Sequence, residues 1–171
     1  MMGCRYPMSS RIVNGENADI NDHPHQASIR YQYWSNHICG ASLIHESGWF
    51  VTAAHCVDET SPQMYGIRVG SSEISSGIDY TVLKIIKHSG YNGAASGIPN
   101  DIALIQVNGP VDTSPRGVDK IELATGSYTG TYCTITGWGA TYGGGPLTIE
   151  HQIEHRRTPS KPEVGPGARE E

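Results

Sequence analysis

From Gln26 to Val107 the chain is built of short apolar or alternating runs, broken at near-regular intervals by turn-forming residues. The runs are Gln26 to Tyr33, His37 to Ile44, Trp49 to Thr52, Met64 to Val69, Thr81 to His88 and Ile102 to Val107. A period of two over a handful of residues suits a strand with one buried face, and these runs fall short of an ordinary helix. Between them lie Asn21-Asp22-His23-Pro24, Ser75-Ser76-Gly77 and Ser89-Gly90-Tyr91-Asn92-Gly93, residue types that supply the backbone freedom tight connections need. Such a series predicts antiparallel strands, enough of them to close a small barrel. The helical signal in this half is a single turn over Ala53 to Val57.

The 171 residues can bury one core, or two small ones that share an interface. With 21 Gly, 9 Tyr, one Phe and 17% charged residues, the composition belongs to a turn-dense β protein. The net charge of −5 gives no basic stripe, so nucleic acid and anionic membrane are excluded as partners. After Gly109-Pro110 a connection runs to about Leu123, and Tyr132 to Trp138 reads as a further strand opening a second β unit. Gly143-Gly144-Gly145-Pro146 then reads as a flexible loop. From His155 the chain turns to His, Arg, Pro, Gly and Glu without hydrophobic period, and 151–171 is expected to be a disordered tail.

Cys4, Cys39, Cys56 and Cys133 allow three pairings, among which spacing does not choose. Cys39 and Cys56 flank a strand and the turn that carries His55, and a bridge between them would contribute roughly 3 kcal/mol by closing a loop of medium length. The alternative for this pair is two buried free thiols. Residues 1–11 hold no apolar core of the kind a signal peptide needs, and no later stretch is long and apolar enough to span a bilayer.

Several motifs occur in a fixed order. Arg11-Ile12-Val13-Asn14-Gly15 comes first, then Cys39-Gly40 with Ser42-Leu43-Ile44 and Trp49-Phe50-Val51. Thr52-Ala53-Ala54-His55-Cys56, Asp101-Ile102-Ala103-Leu104 and Gly137-Trp138-Gly139 follow. Over roughly residues 11–150 this series resembles the trypsin/chymotrypsin family of serine proteases. The resemblance implies an all-β, chymotrypsin-like double barrel, with the first barrel complete and the second fragmentary. It divides the chain into a propeptide-like stub (1–11), a first barrel (12–122), the start of a second (123–150) and the tail (151–171). It also implies that His55 is a general base, suited by an imidazole that titrates near neutrality, and that Asp101 accepts the other ring N–H. Arg11 and Ile12 would flank an activation cleavage made by a trypsin-like protease. In the family a cysteine at the Cys133 position pairs with one near the nucleophile.

The sequence contains no Gly-Asp-Ser-Gly-Gly-Pro segment, which in the family carries the nucleophile, the oxyanion-hole amides and the aspartate that receives the freed amino terminus. Gly143-Gly144-Gly145-Pro146-Leu147 echoes it with glycine in the serine position, and Ser160 falls in the polar tail. The expectation is therefore a portion of a secreted serine endopeptidase, inactive as it stands, that uses no cofactor and meets polypeptide substrates or protease inhibitors. The alternative is a non-catalytic protease-like protein that binds such partners.

Two metal readings come from the residues. The family's calcium loop would fall near 71–80, where Glu73 and Asp79 are too few for a cation that takes six to eight oxygens, so a solvated polar loop is expected and no metal. His151-Gln152-Ile153-Glu154-His155 matches H-x-x-E-H, a zinc-hydrolase pattern if it lies on a helix. His23 and His25, either side of Pro24, read as loop residues.

Overall fold

The computed structural model describes residues 16–31, 36–58, 61–93, 99–126, 132–140 and 152–157. Nine strands occur among them: β1 (Glu16–Asn17), β2 (Gln26–Tyr31), β3 (His37–His45), β4 (Trp49–Thr52), β5 (Tyr65–Val69), β6 (Ile78–Lys87), β7 (Ala103–Val107), β8 (Tyr132–Gly137) and β9 (Gln152–Arg157). Single 3-10 turns cover Ala54–Val57 and Pro62–Met64. Strands β2 to β7 close an antiparallel barrel in the order β2-β3-β4-β7-β6-β5, and β1-β9-β8 form a separate three-stranded sheet.

Alternation of side chains builds the barrel core. Tyr65, Ile67 and Val69 of β5, and Ala103, Ile105 and Val107 of β7, are buried while their neighbours are only partly covered. The register then places apolar residues side by side, with Ile29 opposite Ile67, Leu43 opposite Phe50, Phe50 opposite Ile105 and Ile105 opposite Ile85. Ile29, Leu43, Phe50, Ile67 and Ile105 are wholly excluded from solvent, and each contributes roughly 1.5–3 kcal/mol by burial. The β3–β4 turn needs glycine at Gly48, where φ is 88° and a Cβ would lie 2.7 Å from both the Gly109 carbonyl and a Val107 methyl.

The six sequence-expected strands of the barrel and the helical turn are present, with boundaries moved by a few residues. The largest move is at β6, which begins at Ile78 rather than Thr81 because Ile78 and Asp79 pair with Val69 and Arg68. The expectation of a disordered tail over 151–171 fails at Gln152–Arg157. That strand has no apolar run of its own, yet it pairs with β8 along its whole length and with β1 at Gln152 and Ile153. A strand flanked on both sides has its backbone groups satisfied by its neighbours, a contribution that a hydrophobicity pattern does not register. The rest of that segment, residues 1–15, and the loop at 143–146 lie outside the described residues.

Candidate active site

His55 sits on the 3-10 turn that follows β4, and Asp101 lies two residues before β7. Because β4 and β7 are paired neighbours, with Thr52 opposite Ala103, the barrel brings the two together from 46 residues apart. Asp101 Oδ1 accepts the His55 backbone N–H at 2.9 Å, and Oδ2 lies 2.7 Å from His55 Nδ1. An ionised carboxylate only accepts, so Nδ1 carries the proton of this bond, and in the neutral ring the lone pair falls on Nε2. The imidazole is 37% exposed and the carboxylate 17%, and Nε2 lies 3.5 Å from Cys56 Sγ of the disulfide.

A disulfide between Cys39 and Cys56 ties the His55 turn to β3. The remaining pairing question involves Cys4, which lies outside the described residues. Cys39, His55 and Cys56 place three metal-ligand atoms within 4.8 Å of one another, but the two sulfurs are bonded to each other and offer no thiolate. The H-x-x-E-H segment runs into β9 at Gln152–His155, and an extended backbone does not stack positions one helical turn apart as a zinc site of that kind requires. His151 itself, with Arg11 and Ile12 of the expected activation site, is not among the described residues.

Among the described residues no serine hydroxyl lies within hydrogen-bond distance of His55. A serine–imidazole contact does occur elsewhere, between Ser28 Oγ and His37 Nδ1 at 2.7 Å. Ser28 is 2% exposed, which removes it from any substrate. Burial, reinforced by the nearby Arg30 guanidinium, pushes the His37 imidazole down to about 4, so it is neutral at physiological pH. Its ring meets Trp138 edge-on at 5.7 Å, and the Trp138 indole N–H donates to the Ser72 carbonyl at 2.8 Å.

The loop expected to be merely solvated at 71–80 is organised around two arginines. Arg68 donates through Nε and Nη2 to the two oxygens of Asp79, each at 2.7 Å, and through Nη1 to the Ser75 carbonyl. Arg30 Nη1 donates to the Ile74 carbonyl at 2.6 Å. The Arg68 bond holds the Asp79 carboxyl below its ordinary range, and Glu73 accepts from the Ser76 hydroxyl. Asp79 is therefore engaged internally, and a cavity of about 140 Å³ beside Arg30, Arg68, Asp79 and Tyr80 lies apart from His55. Sequence reasoning missed this pair; the one signal was Arg30, a charged residue in a strand whose alternate positions Ala27 and Ile29 are core. His23 and His25 are loop residues, their rings 6.3 Å apart and edge to face.

Comparison with known proteins bears on the family and the fold. The Trypsin family profile matches residues 12–160. A trypsin of Phaedon cochleariae is 41% identical over 140 residues, covering 78% of this chain and 52% of that protein. Trypsin delta of Drosophila melanogaster is 37% identical over 150 residues, covering 86% and 56% respectively. The chain thus spans about half the length of the curated relatives it matches. Among solved structures, the scabies mite inactivated protease paralogue S-D1 superposes with a TM-score of 0.74 at 25% identity, covering 84% of this chain and 61% of that one. The closed barrel, the ordered motifs and the profile match together show that this chain belongs to the trypsin family of serine proteases.

Proposed function

We propose that these residues supply the base and the orienting acid of a secreted, trypsin-like serine endopeptidase. The observation that carries this reading is the double contact from Asp101 to His55, through the backbone N–H and through Nδ1. In such a site Nε2 takes the proton of a serine hydroxyl as it attacks the scissile carbonyl, then returns it to the leaving amine. Asp101 holds the ring in the required tautomer and stabilises the imidazolium between the two steps. This division of labour is the one the trypsin family is known for, and two of its three roles fall here to His55 and Asp101.

Hydrolysis further requires a nucleophile and an oxyanion hole, and the 171 residues contain no segment of the type that provides them. In the proposed enzyme that segment belongs to a longer product, and cleavage between Arg11 and Ile12 by a trypsin-like protease converts its zymogen. Polypeptides are its substrates and protease inhibitors its ligands. Sequencing the genomic DNA beyond codon 150 tests this reading: a Gly-Asp-Ser-Gly-Gly segment is expected in one frame, and its absence overturns the proposal.

A second reading, a protease-like protein that binds without cleaving, is favoured by the likeness to a neighbour described as an inactivated protease paralogue. On either reading the 171-residue chain neither hydrolyses peptide bonds nor reacts with a serine-directed fluorophosphonate. Stoichiometric labelling would refute both statements at once.

A further inference from the structure

We propose that Asn100 is a positioning residue, whose left-handed backbone and side-chain bond to Gly90 aim the Asp101 carboxylate at His55. The inference rests on the base-and-acid reading of that pair and names what holds it.

Both described bonds to the Asp101 carboxylate come from His55. The carboxylate's direction is therefore set by the backbone that bears it. Asp101 is the central residue of a three-residue turn closed by the Ile102 N–H on the Asn100 carbonyl at 2.8 Å. Asn100 enters that turn with φ of 61°, the one positive value at a non-glycine position among the described residues. Asparagine tolerates this conformation better than most side chains, but it persists only where neighbours hold it.

The holding group is the turn at His88–Tyr91. Asn100 Nδ2 donates to the Gly90 carbonyl at 3.1 Å, and the His88 N–H donates to the Ile102 carbonyl at 3.0 Å, so both flanks of Asp101 are tied to it. The turn is braced internally by the Gly90 N–H on His88 Nδ1 at 3.0 Å. It also reaches back to the base: Tyr91 Oη donates to Asp58 Oδ2 at 3.0 Å, and Asp58 caps the 3-10 turn that carries His55. The bonds thus run in a closed circuit from His55 through Asp101, Asn100, Gly90, Tyr91 and Asp58 to the His55 turn again. A Cβ at position 90 would lie 2.7 Å from Asn100 Nδ2, so any larger residue there displaces that amide from its place against the turn.

Asn100→Gly separates the two contributions, since glycine keeps the left-handed backbone but removes the amide that grips Gly90. Asn100→Ala removes both, and Gly90→Ala disturbs the contact from the other side. The readout is NMR of the 171-residue chain at neutral pH: the downfield His55 Nδ1–H resonance, and the imidazole nitrogen shifts that report which nitrogen is protonated. Wild type should show a protected Nδ1–H. The resonance should weaken in Asn100→Gly and Gly90→Ala and be lost in Asn100→Ala, as in an Asp101→Ala reference, with cooperative melting retained. Wild-type resonances in Asn100→Gly and Asn100→Ala would overturn the proposal. So would loss of cooperative folding in Asn100→Gly, which would make Asn100 a determinant of the fold rather than a local brace. No nucleophile enters this measurement, so a longer product that fails to hydrolyse peptides would sink the protease reading and leave this result standing.

Discussion

The barrel and the three-stranded sheet are made of the same kind of strand and depend on different things. Every barrel strand has a partner on each side, and its inward residues meet across a continuous apolar interior. Among the described residues only β9 of the sheet is flanked twice, and the segment from β8 to Trp138 meets the barrel side through Thr136 Oγ1, which donates to Gln26 Oε1 at 2.6 Å, and through Trp138, which touches His37 and Ser72. The barrel encloses a continuous apolar core, whereas the β8 segment meets it through directed bonds beside one buried indole, Trp138. The base and acid both belong to the barrel half, His55 on the turn after β4 and Asp101 just before the neighbouring β7.

The hardest test of the contrast is Phe50→Ala. Phe50 is fully buried between Leu43 and Ile105, and its truncation should cost about 3–5 kcal/mol in chemical denaturation, lowering every barrel probe together. A loss confined to β8 and β9 would break the comparison. Next, replacing Cys39 and Cys56 together by alanine should lower stability by about 3 kcal/mol, from a closed loop of sequence separation 17. A much smaller loss would show that barrel closure alone holds the His55 turn.

The third test is acid. His37 has a folded value near 4 against an ordinary 6.5, so below 6.5 the unfolded chain binds the proton that the folded chain refuses. Stability is therefore full above 6.5, declines as pH falls, and should be lower by about 2 kcal/mol at about pH 5 from this group alone. Denaturation of His37→Gln should show that slope removed; an unchanged slope would locate the acid sensitivity elsewhere. The smallest effect should come from Thr136→Val, which strips a hydrogen bond from the buried Gln26 amide for about 1 kcal/mol. Hydrogen exchange should quicken in β8 while β4 and β7 amides keep their protection, and equal acceleration in both would join the two regions into one unit.

Much of the barrel was legible because alternation and turn chemistry are local, as in β5 and β7, where every second residue is apolar and buried. His55 and Asp101 were legible through their flanking motifs, although their contact depends on β4 lying beside β7. Strand β9 was hidden, since it pairs outside its own neighbourhood with β8 and β1 and all its residues but Ile153 are polar. Asn100 was hidden for another reason: a positive φ and a grip on Gly90 leave no mark in hydropathy or charge. The Arg68–Asp79 fork required a register that sets Arg68 opposite Asp79 across β5 and β6.

That fork, with Arg30 beside it, also decides what the 71–80 loop owes to its surroundings. Two carbonyls and a carboxylate converging on one side of the loop make a negative cradle, and here the positive charge that fills it is tethered to β2 and β5. A tethered partner has an effective concentration fixed by the chain, so dilution or a chelator cannot withdraw it. The loop carries its own counterion wherever the protein goes.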